Sequence, residues 1–141
     1  MIAIDTNVLA RFYVDDPSDP EAKRQRPLAA QFLRDTSHIF VSVTVVLELA
    51  WVLQAFYEFS AKDFRMVIAH LVGLSNVTVE NWQAVLKACE YAERGLEFAD
   101  ALHVARSTDA EAFMTFDDKK FARRAHKMVT VPPVTMLKGQ Q

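Results

Sequence analysis

The sequence predicts an α/β protein in which helices cover both faces of a parallel β-sheet. Short apolar and β-branched runs, each long enough for one strand, alternate with longer segments of helical periodicity. With only three glycines and no internal repeat there is little room for linkers, so we expect a single domain over residues 1–141. The predicted strands are Ile2–Asp5, Ile39–Val43, Val77–Val79, Ala112–Asp117 and Met128–Val131.

The composition is that of an ordinary globular protein, with 51% hydrophobic and 24% charged residues. The formal net charge of −2 means that any contact with nucleic acid must come from a local basic patch. The single cysteine, Cys89, excludes a disulfide framework and a multi-cysteine zinc site. Apolar runs are far shorter than the roughly 18 residues of a membrane span, and no basic segment precedes the apolar start as in a signal peptide. We therefore expect a cytoplasmic protein.

Helix boundaries follow from capping residues and prolines. Ser18 or Asp19 is expected to cap a helix that Pro20 opens, and Pro27 should kink or divide it. The segment Val45–Phe59 is apolar on nearly every side, which suggests a helix that the domain wraps or another chain covers. The predicted helices are Thr6–Tyr13, Pro20–Arg34, Val45–Phe59, Ala61–Gly73, Trp82–Arg94, Phe98–Ser107 and Lys119–Lys127.

Two acids follow predicted strands. Asp5 comes after the apolar run 1–4, at the end of a strand that we expect to be buried, and Asp117 comes after the apolar segment 113–116. The Asp5 carboxylate could instead only cap the helix that follows it. Asp118 is a further ligand or the cap of the helix that begins at Lys119, and we expect the cap.

Two more acids lie in early turns of apolar helices. Glu48 is flanked by valine, leucine and tryptophan, and Asp100 by alanines that let its helix approach the sheet closely. The ordinary alternative for both is a carboxylate favoured by the positive end of the helix dipole. Glu97, three residues before Asp100, is expected to be a surface residue.

The joint pattern is more informative than any one acid. In an open parallel sheet the strand-to-helix junctions meet at one edge, where ligands bind. Carboxylates gathered there repel one another, and a hard divalent cation relieves that repulsion. Mg²⁺ and Mn²⁺ prefer oxygen ligands, whereas no histidine and cysteine set suits zinc. Such a cation can activate water against a phosphodiester. We expect Asp5, Glu48, Asp100 and Asp117 to be both catalytic and metal-binding, with Asp118 as a further metal ligand.

Polar and basic residues near these acids are candidates for substrate binding. Thr6 and Asn7 follow the first acid and could hydrogen-bond carboxylates or metal-bound water, although both also suit a helix start. Arg11 lies on the same helix. Lys119 and Lys120 open a basic run over residues 119–127 that is either a solvated helix face or a binding site for substrate phosphates.

With these acids and their neighbouring residues, the sequence resembles a PIN domain, specifically the VapC-type toxin ribonucleases of bacterial toxin–antitoxin pairs. The motifs that carry the resemblance are residues 4–9 (IDTNVL), Glu48-Leu49 with residues 51–53, residues 98–105 (FADALHVA) and residues 115–118 (TFDD). The likeness spans nearly the whole chain. The first and third motifs are fairly specific together, whereas a lone Asp-Thr-Asn is not.

The resemblance implies a three-layer α/β/α sandwich with a central parallel sheet, a Mg²⁺ or Mn²⁺ site and endonucleolytic cleavage of RNA. It places the family's acids at Asp5, Glu48, Asp100 and Asp117, while the double aspartate leaves open which of Asp117 and Asp118 is the closer ligand. It further implies a homodimer and a small VapB-like antitoxin, through which alone operator DNA would be bound.

Two other functions remain open from the sequence. One is a different phosphate-handling enzyme with acids at the same sheet edge, such as a receiver-like or haloacid-dehalogenase-like domain. Asn7 opposes the latter, because a dehalogenase-type phosphatase would carry its second aspartate there. The other is a PIN-like module that binds RNA or protein without turnover, which the complete acid set opposes.

Overall fold

The computed structural model describes residues 1–139. Its chain divides into two compact units, Met1–Trp82 and a second that begins at Gln83, and each is described by itself. Every pair of neighbouring strands in the described part is parallel, and helices separate consecutive strands. The predicted α/β class with parallel strands is confirmed.

The first unit contains a three-stranded parallel sheet. Its strands are β1 (Ile2–Ala3), β2 (Ile39–Val41) and β3 (Val77–Val79), in the order β1-β2-β3. Ile39 pairs with Ile2 on one side and with Val77 on the other. Its helices are α1 (Thr6–Tyr13), α2 (Pro20–Asp35), α3 (Val43–Trp51), which continues as a π-helical turn (Val52–Phe56), and α4 (Ala61–Gly73).

Side-chain caps fix the starts of these helices. Asp19 accepts hydrogen bonds from the backbone of Glu21 and Ala22, as predicted for the cap before Pro20. Ser60 and Asp63 form the reciprocal capping box at α4. Of the two alternatives for Pro27, a kink or two short pieces, the structure excludes the second, since α2 is one continuous helix with Pro27 inside it.

The core of the first unit lies between the sheet and its helices. Nine of its apolar side chains are at most 1% exposed, and truncation of a leucine or isoleucine in such a core to alanine costs about 2–5 kcal/mol. These residues come from α1, β2, α3, the π-helical turn and α4, so the core ties the sheet to the helices. They are Leu9, Ile39, Val41, Val46, Leu49, Leu53, Phe64, Ile68 and Leu71.

The expectation that Asp5 ends a buried strand was wrong. Ile2 and Ala3 are both exposed, with Ile2 at 50%. The reason is that β1 is an edge strand of its sheet and pairs only with β2. Asp5 nevertheless follows this strand directly and leads into α1, as predicted.

The second unit contains two parallel strands, β4 (Phe113–Thr115) and β5 (Val134–Met136), with Met114 paired to Thr135. Its helices are α5 (Trp82–Glu93), α6 (Phe98–Ala105) and α7 (Arg123–Met128), with a π-helical turn (Asp118–Ala122) before α7. The first residue of α5, Trp82, still belongs to the first unit. Cys89 is buried.

The last strand lies further along the chain than predicted. The segment 128–131 is not a strand, because Val129 adopts the left-handed conformation that ends α7 and the Thr130 amide bonds back to the carbonyl of Ala125. The buried Thr130 hydroxyl donates to the carbonyl of Pro132 and completes this turn. The strand begins only after the two prolines, at Val134.

Two further observations concern an exposed aromatic pair and the apolar character of the helices. Trp51 and Phe56 are 61% and 67% exposed, and their rings meet edge to face. Within residues 1–139, no helix combines the length and the apolar character that a membrane crossing requires.

Candidate functional site

In the first unit, Asp5 is the N-terminal cap of α1. Its Oδ1 accepts a hydrogen bond of 3.3 Å from the amide of Val8, and the residue is exposed. The capping role that the sequence left open is therefore real. A carboxylate has two oxygens and about four acceptor positions, so capping by one of them leaves capacity for a cation.

Thr6 follows Asp5 in the chain and contacts Glu48. It is buried, and its hydroxyl donates a hydrogen bond to Oε1 of Glu48 on α3. The sequence allowed Thr6 to hydrogen-bond a carboxylate, and the structure contains such a contact, whereas substrate binding by Thr6 stays a prediction. The hydrogen bond therefore brings Glu48, in the second turn of α3, against the residue that directly follows Asp5.

Asp5 lies on a groove of the first unit with a volume of about 690 Å³. Asn7 and Arg11 line the same groove, so two of the three predicted substrate-binding residues of α1 share a groove with Asp5. The Arg11 guanidinium donates to Oε1 of Gln25 over 2.9 Å, a contact that orients it and that the sequence did not indicate. Most of the lining is apolar and comes from β1, α1 and α2.

In the second unit, Asp100 lies in the first turn of α6 and is half-buried. Burial raises the pKa of its carboxyl group, and the nearby carboxylates of Glu97 and Asp117 raise that pKa further, while His103 opposes them. Asp100 on α6 thus interacts electrostatically with Asp117, which lies two residues after β4. A carboxylate whose charged form is disfavoured by its neighbours is the kind of group that a cation stabilises.

The double aspartate is resolved into two roles. Asp117 caps the π-helical turn, with Oδ1 accepting from the amide of Lys120 over 3.0 Å. Asp118 forms an ion pair of 2.7 Å with Arg123. The capping role expected of Asp118 therefore belongs to Asp117, because the helical turn begins one residue earlier than predicted.

The remaining candidates of the second unit are the two lysines that follow Asp118. Lys119 and Lys120 are exposed on the π-helical turn. The ring of His103 stacks on that of Phe113 with centroids 6.4 Å apart. Arg124 is occupied elsewhere, since it donates to the carbonyl of Gly95 over 2.9 Å.

The acids fit a hard divalent cation in their chemistry. Asp5 and Glu48 belong to the first unit and Asp100 and Asp117 to the second, where burial first and then the carboxylates of Glu97 and Asp117 raise the pKa of Asp100. Across the described part of the chain, no three histidine, cysteine, aspartate or glutamate side chains form a preassembled metal cluster. Carboxylate oxygens are the ligands that Mg²⁺ and Mn²⁺ prefer.

Comparison with protein families confirms the class to which this arrangement points. The PIN domain model matches residues 2–127, so the chain belongs to the PIN domain family. This match agrees with an α/β sandwich built on parallel strands. PIN domains are generally nucleases, and these nucleases generally use divalent metals. No curated protein matches the chain.

Sequence reasoning missed one group of residues. Arg123, His126 and Lys138 line a common cleft of the second unit. The first two belong to the basic run that the sequence singled out, but Lys138 does not. Only the position of β5, which the sequence misplaced, reveals that Lys138 lies near them.

Proposed function

We propose that this protein is an endoribonuclease that depends on Mg²⁺ or Mn²⁺ and that uses Asp5, Glu48, Asp100 and Asp117 as its metal-binding acids. The observation that carries the proposal is the hydrogen bond from buried Thr6, the residue after Asp5, to Glu48. This bond holds the Glu48 carboxylate in a fixed orientation. Membership of a family of metal-dependent nucleases supports it.

The protein groups would have distinct tasks. The four acids would hold the cation, and Thr6 would keep Glu48 in a single orientation. When bound, the cation would lower the pKa of a water molecule and stabilise the charge that develops on the phosphodiester. Asn7, Arg11, Lys119 and Lys120 would bind and orient the phosphates of the substrate. Asp118 is paired with Arg123, and its place in the metal site would be secondary.

The biological role that we propose is that of the toxin in a toxin–antitoxin pair. The motifs that resemble VapC-type ribonucleases support this role. A small VapB-like antitoxin would inhibit the enzyme and would alone contact operator DNA. The exposed pair Trp51 and Phe56 supports a protein contact on the α3 side, and a homodimer is the assembly that we expect there.

The proposal is tested by substitution of single carboxylates with amides of the same shape. Purified Asp5→Asn and Asp100→Asn should each lose RNA cleavage, and their expression should no longer inhibit growth. Asp109→Asn changes an exposed aspartate outside the site and serves as the matched control. Retention of the far-UV circular dichroism spectrum shows that the fold survives. Undiminished cleavage by either site variant would exclude the proposed role of these acids.

A further inference from the structure

A second polar cleft lies in the second unit, on the side formed by α7 and β5. It has a volume of about 520 Å³. Arg123 and His126 line it from α7, where a spacing of three residues places both side chains on one helix face. Lys138, two residues after β5, lines it as well.

The cleft carries a net positive charge although the chain as a whole is negative. Arg123 and Lys138 are cations, and the one acid in the lining, Asp118, is paired with Arg123 over 2.7 Å. The lining therefore has a net charge of +1 with His126 neutral and +2 with it protonated. Arg123, His126 and Lys138 are all exposed, so their polar groups are accessible to a ligand.

Apolar side chains complete the lining. Val134 and Ala122 are buried and Met136 is half-buried, so together they form an apolar floor between the cations, and the hydroxyl of Thr135 adds a hydrogen-bonding group at its edge. Cations beside an apolar floor suit a nucleotide, whose phosphate is charged while its sugar and base offer apolar faces. Single-stranded nucleic acid is commonly bound in this way, through backbone charge together with contacts to the base.

Other basic residues of the same run do not contribute. Arg124 donates to the carbonyl of Gly95, and Lys119, Lys120 and Lys127 are not part of the cleft lining. The position of the cleft thus separates the basic residues of this segment into two groups. This separation makes a charge-matched comparison within one helix feasible.

We propose that Arg123, His126 and Lys138 form a binding site for a backbone phosphate of single-stranded RNA, in a cleft whose lining includes none of the four acids Asp5, Glu48, Asp100 and Asp117. This inference rests on the proposed ribonuclease function, because it assigns part of the substrate to this cleft. A site of this kind would retain long RNA and would be of no use to a substrate too short to reach it.

The binding test uses a fluorescently labelled ten-nucleotide uridine RNA and the full chain in excess EDTA, so that cleavage does not interfere. Fluorescence anisotropy is recorded from 50 to 200 mM salt. Arg123→Gln and Lys138→Gln should each weaken binding and reduce the slope of log affinity against log salt by about 0.7, the value for one phosphate contact with a single strand. Lys127→Gln, which changes an exposed charge on α7 outside the cleft, should leave both quantities unchanged.

Several outcomes would overturn the proposal. The first is an equal loss of RNA binding in all three variants, which would indicate a diffuse surface charge. The second is unchanged RNA binding in the two cleft variants. The third is cleft-dependent binding of a ten-residue polyglutamate peptide in place of RNA. Thermal melting of each variant identifies any unfolded protein, and His126→Gln then provides a further cleft variant. Because binding is measured without cleavage, failure of the ribonuclease assignment and failure of this site give different results.

Discussion

The hydroxyl of Thr6 donates a hydrogen bond to the carboxylate of Glu48, a residue 42 positions further along the chain. Thr6 is 3% exposed, so the contact depends on the packing of α1 against α3 and not on chance encounters at the surface. The start of one helix therefore controls the orientation of an acid on another. The enzyme proposed here depends on that control.

Thr6→Val should lower the rate of RNA cleavage while the fold remains intact. Valine keeps the shape of threonine but cannot donate, and a hydrogen bond to a charged group is worth about 1.5–3 kcal/mol. If that energy orients Glu48 in the transition state, we expect a loss of roughly 10- to 100-fold in kcat/KM. Thr6→Ser retains the hydroxyl and should recover most of the activity. Equal activity of the valine and serine variants would show that the hydrogen bond has no part in catalysis.

Asp117 and Asp118 should differ in their effects on stability. Asp117→Ala removes the cap of the π-helical turn and should lower the free energy of unfolding by about 0.5–2 kcal/mol. Asp118→Ala breaks an ion pair whose two side chains are 46% and 59% exposed, and such pairs contribute about 0–1 kcal/mol. Urea unfolding followed by tryptophan fluorescence gives both values. A larger loss from the change at Asp118 would reverse the assignment of the cap.

Asp100 should make the metal-free protein less stable as the pH rises. Burial and the carboxylates of Glu97 and Asp117 raise its folded-state pKa above the ordinary value of 3.8. Between those two pKa values the folded protein binds more protons than the unfolded chain, so the free energy of unfolding falls with rising pH and stays reduced above the folded pKa.

Asp100→Asn removes this penalty. In EDTA, the stability of the variant relative to the natural protein should therefore increase from pH 3.8 towards neutral pH, even though the variant is expected to lack cleavage. Denaturant titrations of both proteins over this range measure the difference. A difference that does not change with pH would mean that the Asp100 carboxylate is not electrostatically disfavoured.

Two glycines provide a matched pair for backbone conformation. Gly95 has φ of +124°, and a Cβ there would meet nothing closer than the Arg124 side chain at 3.9 Å, so conformation and not space forbids a larger residue. Gly95→Ala should cost about 1 kcal/mol or more. Gly73 ends α4 with an ordinary φ and open space around it, and Gly73→Ala should stabilise by about 0.5–1 kcal/mol. Thermal unfolding that shows the same sign for both would contradict the conformational argument.

Elements with local signals were predictable from the sequence. The Ser60–Asp63 capping box and the caps Asp5 and Asp19 lie within one helical turn of the groups that they satisfy, so short sequence patterns specify them. The motifs around Asp5, Glu48, Asp100 and Asp117 were sufficient to indicate the family that the comparison then confirmed.

Features that depend on distant packing were not predictable. β-branched residues at 129–131 favour a strand, but the left-handed Val129 and the hydrogen bonds of Thr130 form a turn there instead. The apolar segment 45–59 contains a π-helical turn after Trp51 that no residue pattern announces. The contact between Arg11 and Gln25 joins two helices whose relative position the sequence does not specify.

Our central proposal is that Asp5 and Asp100 both take part in binding the metal, and titration calorimetry with Mn²⁺ tests it most directly. The natural protein, Asp5→Asn, Asp100→Asn and the double variant are compared at neutral pH. If the two acids act together, each single variant loses as much Mn²⁺ affinity as the double variant does, because their effects are not additive. Normal Mn²⁺ binding by both single variants, or losses in the two that simply add in the double variant, would contradict a shared site.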